Sequence, residues 1–310
     1  MDSIDAMRLF VRIVERRSFT AAANDTDIPR STATQVIRQM EDRLGVRLLQ
    51  RTTRTVTPTL DGEAYYRSCM SILDDLHEAE AALGGKQPRG MLRVDVQGTL
   101  ARHFLLPALP EFFRRFPELQ ITMSESDRFI NLVEEGVDCV LRYGVVQDTE
   151  LVARKVATLE RLTVTAPAYL EAHGRPDSIE ALETGTHRMV GIRTLSTGRI
   201  TPLEFVSEGD LRHVVLPDTL SVTGPESYRD STLLGLGIAQ MPRFHIEADL
   251  ASGRLVTLLE STPPPSMPVW LLYPHRRQLS PRVRAFLDWA ANEFTRRQRD
   301  AAEHDGDPGM

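Results

Sequence analysis

Apolar positions recur along the chain in two rhythms, and the rhythm changes near residue 90. From Ile4 to Leu44 the spacing is helical: Met7, Phe10, Val11 and Val14 share one face. Ser18 opens a short helix from Phe19 to about Asn24, because its hydroxyl can accept a free N–H of the first turn. Thr26-Asp27-Ile28 predicts a turn. Pro29 suits the first position of the next helix, where its missing N–H costs nothing, and Gly45 suits the left-handed stop. In that helix Ala33, Val36, Ile37, Met40 and Leu44 form one apolar stripe. Residues 46–57 are β-prone and basic and predict a hairpin. Residues 60–83 predict a long helix with Tyr66, Cys69, Leu73, Leu76 and Leu83 as a coiled-coil-like seam. On a lone helix that stripe would be exposed, which calls for a partner. Residues 84–90 read as a hinge.

After Met91, strands alternate with helical segments. Strands are predicted at Leu92–Val96, Gln120–Met123, Cys139–Leu141, Leu162–Thr165, Met189–Ile192, Val214–Leu216, Leu220–Thr223, Ile238–Met241, Leu255–Leu258 and Val269–Tyr273. Helices are predicted notably at Leu109–Phe116, Asp127–Glu135, Ser227–Leu234 and Pro281–Phe294. This alternation predicts an α/β body with a largely parallel sheet, and about 220 residues suffice for two lobes. The polar tail after Arg297 is expected to be disordered.

Composition narrows the class. At 310 residues, with 41% hydrophobic and 26% charged positions, the chain is neither disordered nor fibrous. No apolar run approaches the roughly 20 residues that span a bilayer. The acidic start Met1-Asp2-Ser3-Ile4-Asp5 lacks the basic region of a secretory signal, and two distant cysteines make no disulfide framework, so a reducing cytoplasm is expected. The net charge of −6 is unevenly spread. Residues 1–60 hold ten Arg against seven acids, whereas residues 61–310 carry more acids than bases. A basic head on an acidic body points to a nucleic-acid partner for the head.

The face of the 29–44 helix opposite its apolar stripe carries Arg30, Ser31, Thr34, Gln35 and Arg38. These are donors and acceptors of the kinds that reach base edges and phosphates, and they begin at the helix N-terminus, where a helix-turn-helix reader meets the major groove. A polar face alone is commonplace; the short helix before it and the basic hairpin after it make the difference.

With these residues in place the chain resembles the LysR-type transcriptional regulators. The resemblance is carried by Ser18-Phe19-Thr20-Ala21-Ala22-Ala23, by Pro29-Arg30-Ser31-Thr32-Ala33-Thr34, by Gln39-Met40-Glu41-Asp42-Arg43-Leu44-Gly45, by Arg47-Leu48-Leu49-Gln50-Arg51-Thr52-Thr53-Arg54 and by Gly62. It continues through Phe113-Arg114-Arg115-Phe116-Pro117, Leu132 to Asp138, Gly235 to Ala239 and Gly253 to Val256, so nearly the whole chain is covered. Three positions depart from the family pattern: Thr26 stands for Leu, Thr34 for Ser, and Pro58-Thr59 for Leu-Thr. Thr34 keeps a hydroxyl, Thr26 removes a packing residue, and Pro58 bears on the junction after the hairpin.

The resemblance implies an α+β multidomain chain: a winged helix-turn-helix at 1–59, a dimerisation helix and hinge at 60–90, and a two-lobed body at 91–297 like periplasmic binding proteins. Lobe I would take about 91–161 and 266–297, lobe II about 162–265, with the tail at 298–310. It implies a homodimer or homotetramer on an interrupted palindrome of promoter DNA, with RNA polymerase as a further candidate partner and no catalytic activity. Arg51 and Arg54, on the wing, would fix register through phosphates.

In two-lobed α/β domains ligands lie at strand C-termini, where helix N-termini offer free N–H groups. Gln97, Gly98, Thr99 and Leu100 follow the first strand. The family's inducer contacts cluster there, in the loop holding Thr194 and Ser196, and near Thr223, with Phe129 and Tyr143 as apolar walls. An anionic small molecule is slightly favoured by the helix N-termini. A cap on the following helix is the alternative role for Thr99, and both roles are compatible. Arg193 and Arg199 read as surface groups rather than an anion clamp. Other signals are weak. Gly235-Leu236-Gly237 is a turn rather than a dinucleotide loop. His245 and Glu247 lack further metal ligands, and no cofactor is expected. Cys139 reads as core, a redox role for Cys69 is conceivable but poorly supported, and His103 could face the cleft. A solute-binding receptor is disfavoured by the basic helical head, and an enzyme by the want of a catalytic constellation.

Overall fold

A computed structural model describes residues 2–51, 56–82, 87–126, 132–144, 151–195, 197–275 and 279–305. The head begins with α1 (Ser3–Arg16), α2 (Phe19–Asp25) and α3 (Arg30–Leu44). Ser18 Oγ accepts the Ala21 N–H at 3.2 Å, the predicted cap. Pro29 is itself the N-cap residue of α3, extended at ψ 141°, so the helix begins one position later than expected. The residue ahead of the first helical turn must be non-helical, and proline holds that geometry as readily as the first turn. Gly45 closes α3 at φ 72°. Thr26 does not leave a hole: its hydroxyl bonds the Ala22 carbonyl at 2.8 Å and ends α2.

A hairpin follows, β1 (Leu49–Arg51) antiparallel to β2 (Val56–Pro58), and then α4 (Leu60–Ala82). Thr59 governs the junction after Pro58: its hydroxyl donates to the Arg47 carbonyl at 2.6 Å and accepts the Gly62 N–H at 2.9 Å. Gly62 is needed there, since a Cβ would sit 1.9 Å from the Leu48 carbonyl oxygen.

One apolar core unites these elements. Leu9, Phe10, Ile13, Ala22, Ala33, Ile37, Met40 and Leu48 pack with Cys69 and Leu73 of α4, and Tyr66 lies against them. The expected intermolecular seam is therefore corrected at three of its five residues, while Leu76 is half-buried and outside this core. Tyr66, Cys69 and Leu73 cover the chain's own head, because α4 folds back against α1 and that core takes the first apolar face on offer. Leu83 lies outside the described residues. Leu44 is also corrected: it is exposed, one turn beyond the point where α1 and α2 can cover the stripe.

The body begins with β3 (Gly90–Val96). A helical run follows, from α5 (Gly98–Leu100) through a π-turn at Ala101–Leu105 and a 3-10 turn at Leu106–Ala108 to α6 (Leu109–Arg115). Then come β4 (Leu119–Glu125), α7 (Leu132–Glu135), β5 (Cys139–Tyr143) and β6 (Leu151–Leu159). With β14 (Met267–Pro274) these strands form a sheet in the order β4-β3-β5-β14-β6. Only β4-β3 and β3-β5 are parallel; β14 runs antiparallel to both neighbours, so the sheet is mixed rather than largely parallel. Leu92, Val94, Phe104, Phe112, Leu271, Phe286 and Phe294 form this lobe's core.

The chain crosses at Glu160 into a second lobe. It contains β7 (Arg161–Thr165), α8 (Pro167–His173), α9 (Ile179–Thr184), β8 (Gly191–Ile192), β9 (Leu203–Ser207), β10 (Asp210–Val214) and β11 (Ser221–Val222). It ends with α10 (Pro225–Leu233), β12 (Ala239–Pro242), α11 (Arg243–Ala251) and β13 (Val256–Leu258) before returning to β14. The central β7 pairs antiparallel with β12 and β13. All five of its residues are buried, between a core around Phe205 and Ile238 and another around Val164 and Ile246.

The strand expected at Val214–Leu216 lies instead at Asp210–Val214, paired with β9. Glu208 (φ 53°) and Gly209 (φ 91°) make the two-residue turn, a left-handed pair that a Glu-Gly dipeptide signals weakly. The expected Met189–Ile192 strand is shortened to β8, Met189 making only an isolated bridge to Ile238. Finally α12 runs Pro281–Asp305, so residues 298–305 of the tail are helical and not disordered; no Gly or Pro interrupts helix formers before Gly306. The remaining tail and residues 127–131 of the expected Asp127–Glu135 helix lie outside the described residues.

Candidate functional site

In the head, α3 buries Ala33, Val36, Ile37 and Met40 and turns its other face outward. Arg30, Ser31, Gln35 and Arg38 are exposed and Thr34 is half-buried beside them, so the five predicted readers share one solvent face starting at the helix N-terminus. Sequence reasoning missed Glu41. Its Oε1 accepts the N–H groups of Leu48 (2.9 Å) and Leu49 (3.1 Å), tying the end of α3 to the first strand of the wing and fixing the angle between reader and wing. The Arg51 side chain and Arg54 lie outside the described residues.

In the body, Gln97 to Leu100 sit where β3 gives way to α5. Two of these residues are committed to the fold. Gln97 Oε1 accepts the Tyr143 N–H at 2.8 Å, joining two predicted site residues across the ends of β3 and β5. The Leu100 side chain is fully buried in the lobe core, so only its backbone can meet a ligand. The approach beside Gly98 is held by the Glu125 carboxylate, 2.5 Å from where a Cβ would stand. Thr99 is buried, and no side-chain cap closes α5, which removes the capping alternative. Tyr143 packs against the first lobe's core. In the second lobe, β8 and β11 run parallel, and the Arg193 N–H bonds the Val222 carbonyl at 2.8 Å, so Thr194 and Thr223 leave the sheet side by side and exposed. Arg193 donates to the Gly198 carbonyl within its own loop. Phe129 and Ser196 lie outside the described residues.

The two lobes meet next to these loops. Arg102, three residues after Thr99, pairs with Glu226, three residues after Thr223, at 2.6 Å. The helices that follow the two candidate loops therefore face each other. A cavity of about 510 Å3 beside this pair is lined by His103, Arg229, Phe244 and His245 among others, which answers where His103 points. Beneath the Gln97 loop lies a buried ion pair that sequence reasoning also missed. Arg142 Nη2 contacts Asp95 Oδ1 at 2.6 Å, and the hydroxyls of Ser124 (2.7 Å) and Ser126 (3.1 Å) bond the same carboxylate. A charged residue inside each of two apolar strands, Arg-Val-Asp-Val and Val-Leu-Arg-Tyr, was the available signal.

Cys69 is buried in the head, and burial pushes its thiol up to about 11, which favours the protonated form at neutral pH. Burial raises the Cys139 thiol as well. Among the described residues no group of three or more His, Cys, Asp or Glu is placed to hold a metal ion, and no helix is long and apolar enough to cross a membrane.

Residues 4–63 match the model of the bacterial regulatory helix-turn-helix protein, lysR family, and residues 85–295 match the LysR substrate binding domain. The chain belongs to the LysR family of transcriptional regulators. It is a DNA-binding regulator with a ligand-binding regulatory domain. It is 34% identical over 304 residues to an HTH-type transcriptional repressor of Pseudomonas aeruginosa, covering 95% of this chain and 93% of the relative. It is 31% identical over 293 residues to the transcriptional regulator CrgA of Neisseria meningitidis, covering 94% and 96%. The solved structure of CrgA superposes with a TM-score of 0.59 at 30% identity, covering 95% of this regulator and 99% of that chain. Full-length AphB, a virulence activator of Vibrio cholerae, gives 0.57 at 26% identity, covering 94% and 99%. In this LysR-type regulator the helix-turn-helix match covers the head and the substrate-binding match covers the body.

Proposed function

We propose that the regulator reads promoter DNA with Arg30, Ser31, Thr34, Gln35 and Arg38, and grips phosphates with Arg51 and Arg54 of the wing. It senses a small anionic molecule in the cleft framed by Gln97, Gly98, Thr99, Leu100, Phe129, Tyr143, Thr194, Ser196 and Thr223. The observation that carries this reading is the exposed polar face of α3, held by Glu41 against the wing while every apolar residue of that helix but Leu44 points inward. The domain bounds that go with it are 1–59, 60–90 and 91–297, the last divided at the Glu160 crossing and the return to β14.

The regulator acts in the cytoplasm, where promoter DNA lies, and catalyses no reaction. It works as a homodimer or homotetramer through α4. Because Cys69 and Leu73 serve the head's own core, pairing falls to the other face of α4, where Ala64, Ser68 and exposed Ile72 are spaced four apart. RNA polymerase is the partner that the bound regulator would meet at a promoter. Effector binding favours closed lobes and shifts the equilibrium by its differential affinity alone.

Sequencing the DNA retained by the purified protein should yield an interrupted palindrome. Recovery of random sequence would overturn the α3 assignment. Thr99→Val keeps the side-chain shape and deletes the hydroxyl. It should leave DNA binding intact and abolish the inducer response in a promoter–reporter assay, and a full response would remove Thr99 from the site.

A further inference from the structure

Behind the proposed effector loops, the two lobes are joined by a small cluster of titratable groups. Arg102 and His103 project from the π-turn of the first lobe, an irregular helical geometry that recurs at functional sites. Glu226 and Arg229 come from α10, Phe244 and His245 from α11. Glu226 Oε1 lies 2.6 Å from Arg102 Nη1, across the lobe junction, and 3.5 Å from Nε2 of His245 in its own lobe. That Nε2 is buried without a hydrogen-bond partner, on a side chain only 4% exposed, and His245 lines the cavity between the lobes. The His103 ring stands edge-on to His245 at 5.8 Å and to Phe244 at 5.3 Å. Phe244 reaches across to Phe104 at 5.0 Å, so an apolar bridge flanks the polar one.

The groups facing this cluster are mostly spoken for. Arg229 is held by Asp249 at 2.6 Å and by Asp230 at 3.2 Å. Arg297 of α12 lies over the Phe104 ring with its Nε buried and lacking a hydrogen-bond partner, so it stands near His103 as a further cation. Glu247, on the same helix as His245, is at the exposed rim of the cavity. Glu226 is therefore the carboxylate within reach of His245, and it is already engaged by a cation from the other lobe.

We propose that this cluster is a proton-operated latch: protonation of His245, coupled to that of His103, moves Glu226 from Arg102 of the first lobe to His245 of its own lobe and lets the cleft open. In the neutral state the Arg102–Glu226 pair crosses the junction and the two imidazoles pack without charge. A protonated His245 carries an N–H aimed at the same Glu226 oxygen and competes for it. A protonated His103 then adds a second cation beside it, with Arg102 and Arg229 close by, and repulsion pushes the lobes apart.

The direction follows from linkage. Burial holds both imidazoles below their ordinary value in the closed arrangement, reinforced by Arg229 and Arg102 at His245 and by His245, Arg102 and Arg297 at His103, and opposed by Glu226. Closure is thus fully supported above the ordinary imidazole range and is lost as the pH falls through the depressed values, below about 6.5. The latch rests on the cleft reading only for its consequence and is testable with neither effector nor DNA.

The test is the distance between nitroxide labels on Glu118→Cys in the first lobe and Asp210→Cys in the second. It is measured in the full-length protein diluted with unlabelled chain, from pH 8 to 5.5, with far-UV circular dichroism followed in parallel. The parent should lengthen at constant helicity, with a midpoint below about pH 6.5 and a steepness of about two protons. His245→Gln should keep the short distance throughout. His103→Gln should reduce the steepness to about one proton. Arg102→Gln should show the long distance already at pH 8. An unchanged distance in the parent, or a transition in His245→Gln equal to the parent's, would overturn the latch. Should His245→Gln not fold, an unaltered steepness in His103→Gln together with a short distance in Arg102→Gln at pH 8 would do the same.

Discussion

The head and the body of this regulator have different interiors. Among the described residues, every buried polar or charged side chain lies in the body: Asp95, Arg161, His245, Asp249 and Arg282 are examples, and none falls within residues 2–82. The described head buries apolar side chains only, and its polar side chains are half-buried or exposed. The body places charges in pairs that each tie two elements together: Asp95 of β3 with Arg142 of β5, and Asp249 of α11 with Arg229 of α10. Apolar packing is non-directional and yields a rigid platform. A buried ion pair contributes less net stability but is costly to break, so it fixes an arrangement. A platform suits a DNA-binding head, and fixed arrangements of polar groups suit a ligand-binding body.

The comparison can be broken at its strongest points first. Gly62→Val should place a side chain against the Leu48 carbonyl and cost about 4 kcal/mol or more, unfolding the head while the body still melts normally. Calorimetry would resolve the two transitions, and a coincident loss of both would mean that head and body fold as one unit. Asp95→Ala removes the carboxylate that faces half-buried Arg142 and should cost about 3 kcal/mol in the body's transition alone. If the head's transition moved as well, tying β3 to β5 within the body would not be the pair's role. Arg30→Ala should leave both transitions unchanged and relax base preference by about 1–3 kcal/mol, read from binding to matched and mismatched sites. Ser18→Ala removes the α2 cap and should lower head stability by about 1 kcal/mol, measured by urea denaturation. An effect near zero would show that packing of Ala22 and Ala23 holds α2 without its cap.

Much of the head was legible because its contacts are close in sequence. Ser18, Gly45 and the polar face of α3 are local signals, each decided within a turn or two of helix. The body was legible as a series of elements but less so as a topology. β6 was missed because Val156 is an extra residue at a bulge opposite Val269 and Trp270, which destroys the alternation a strand prediction depends on. The candidate cleft was legible only in part. Gln97 and Leu100 look like site residues by position, yet a backbone N–H and a core claim them. Arg102, Glu226 and His245 carry no sequence signal for one another, since 124 residues separate the first two.

The sequence by itself determined the helical head, its outward-facing polar stripe, the hinge composition and the alternation of strands and helices in the body. These follow from side-chain periodicity and capping chemistry, which act over a few residues. Only the tertiary structure decided that Tyr66, Cys69 and Leu73 of α4 serve their own head, that the body's sheet is mixed, and that Glu226 stands between Arg102 and His245. Each of these depends on which distant segment reaches a surface first and covers it. A stripe of apolar residues states that it must be buried, and a charge states that it needs a partner, but neither states by what.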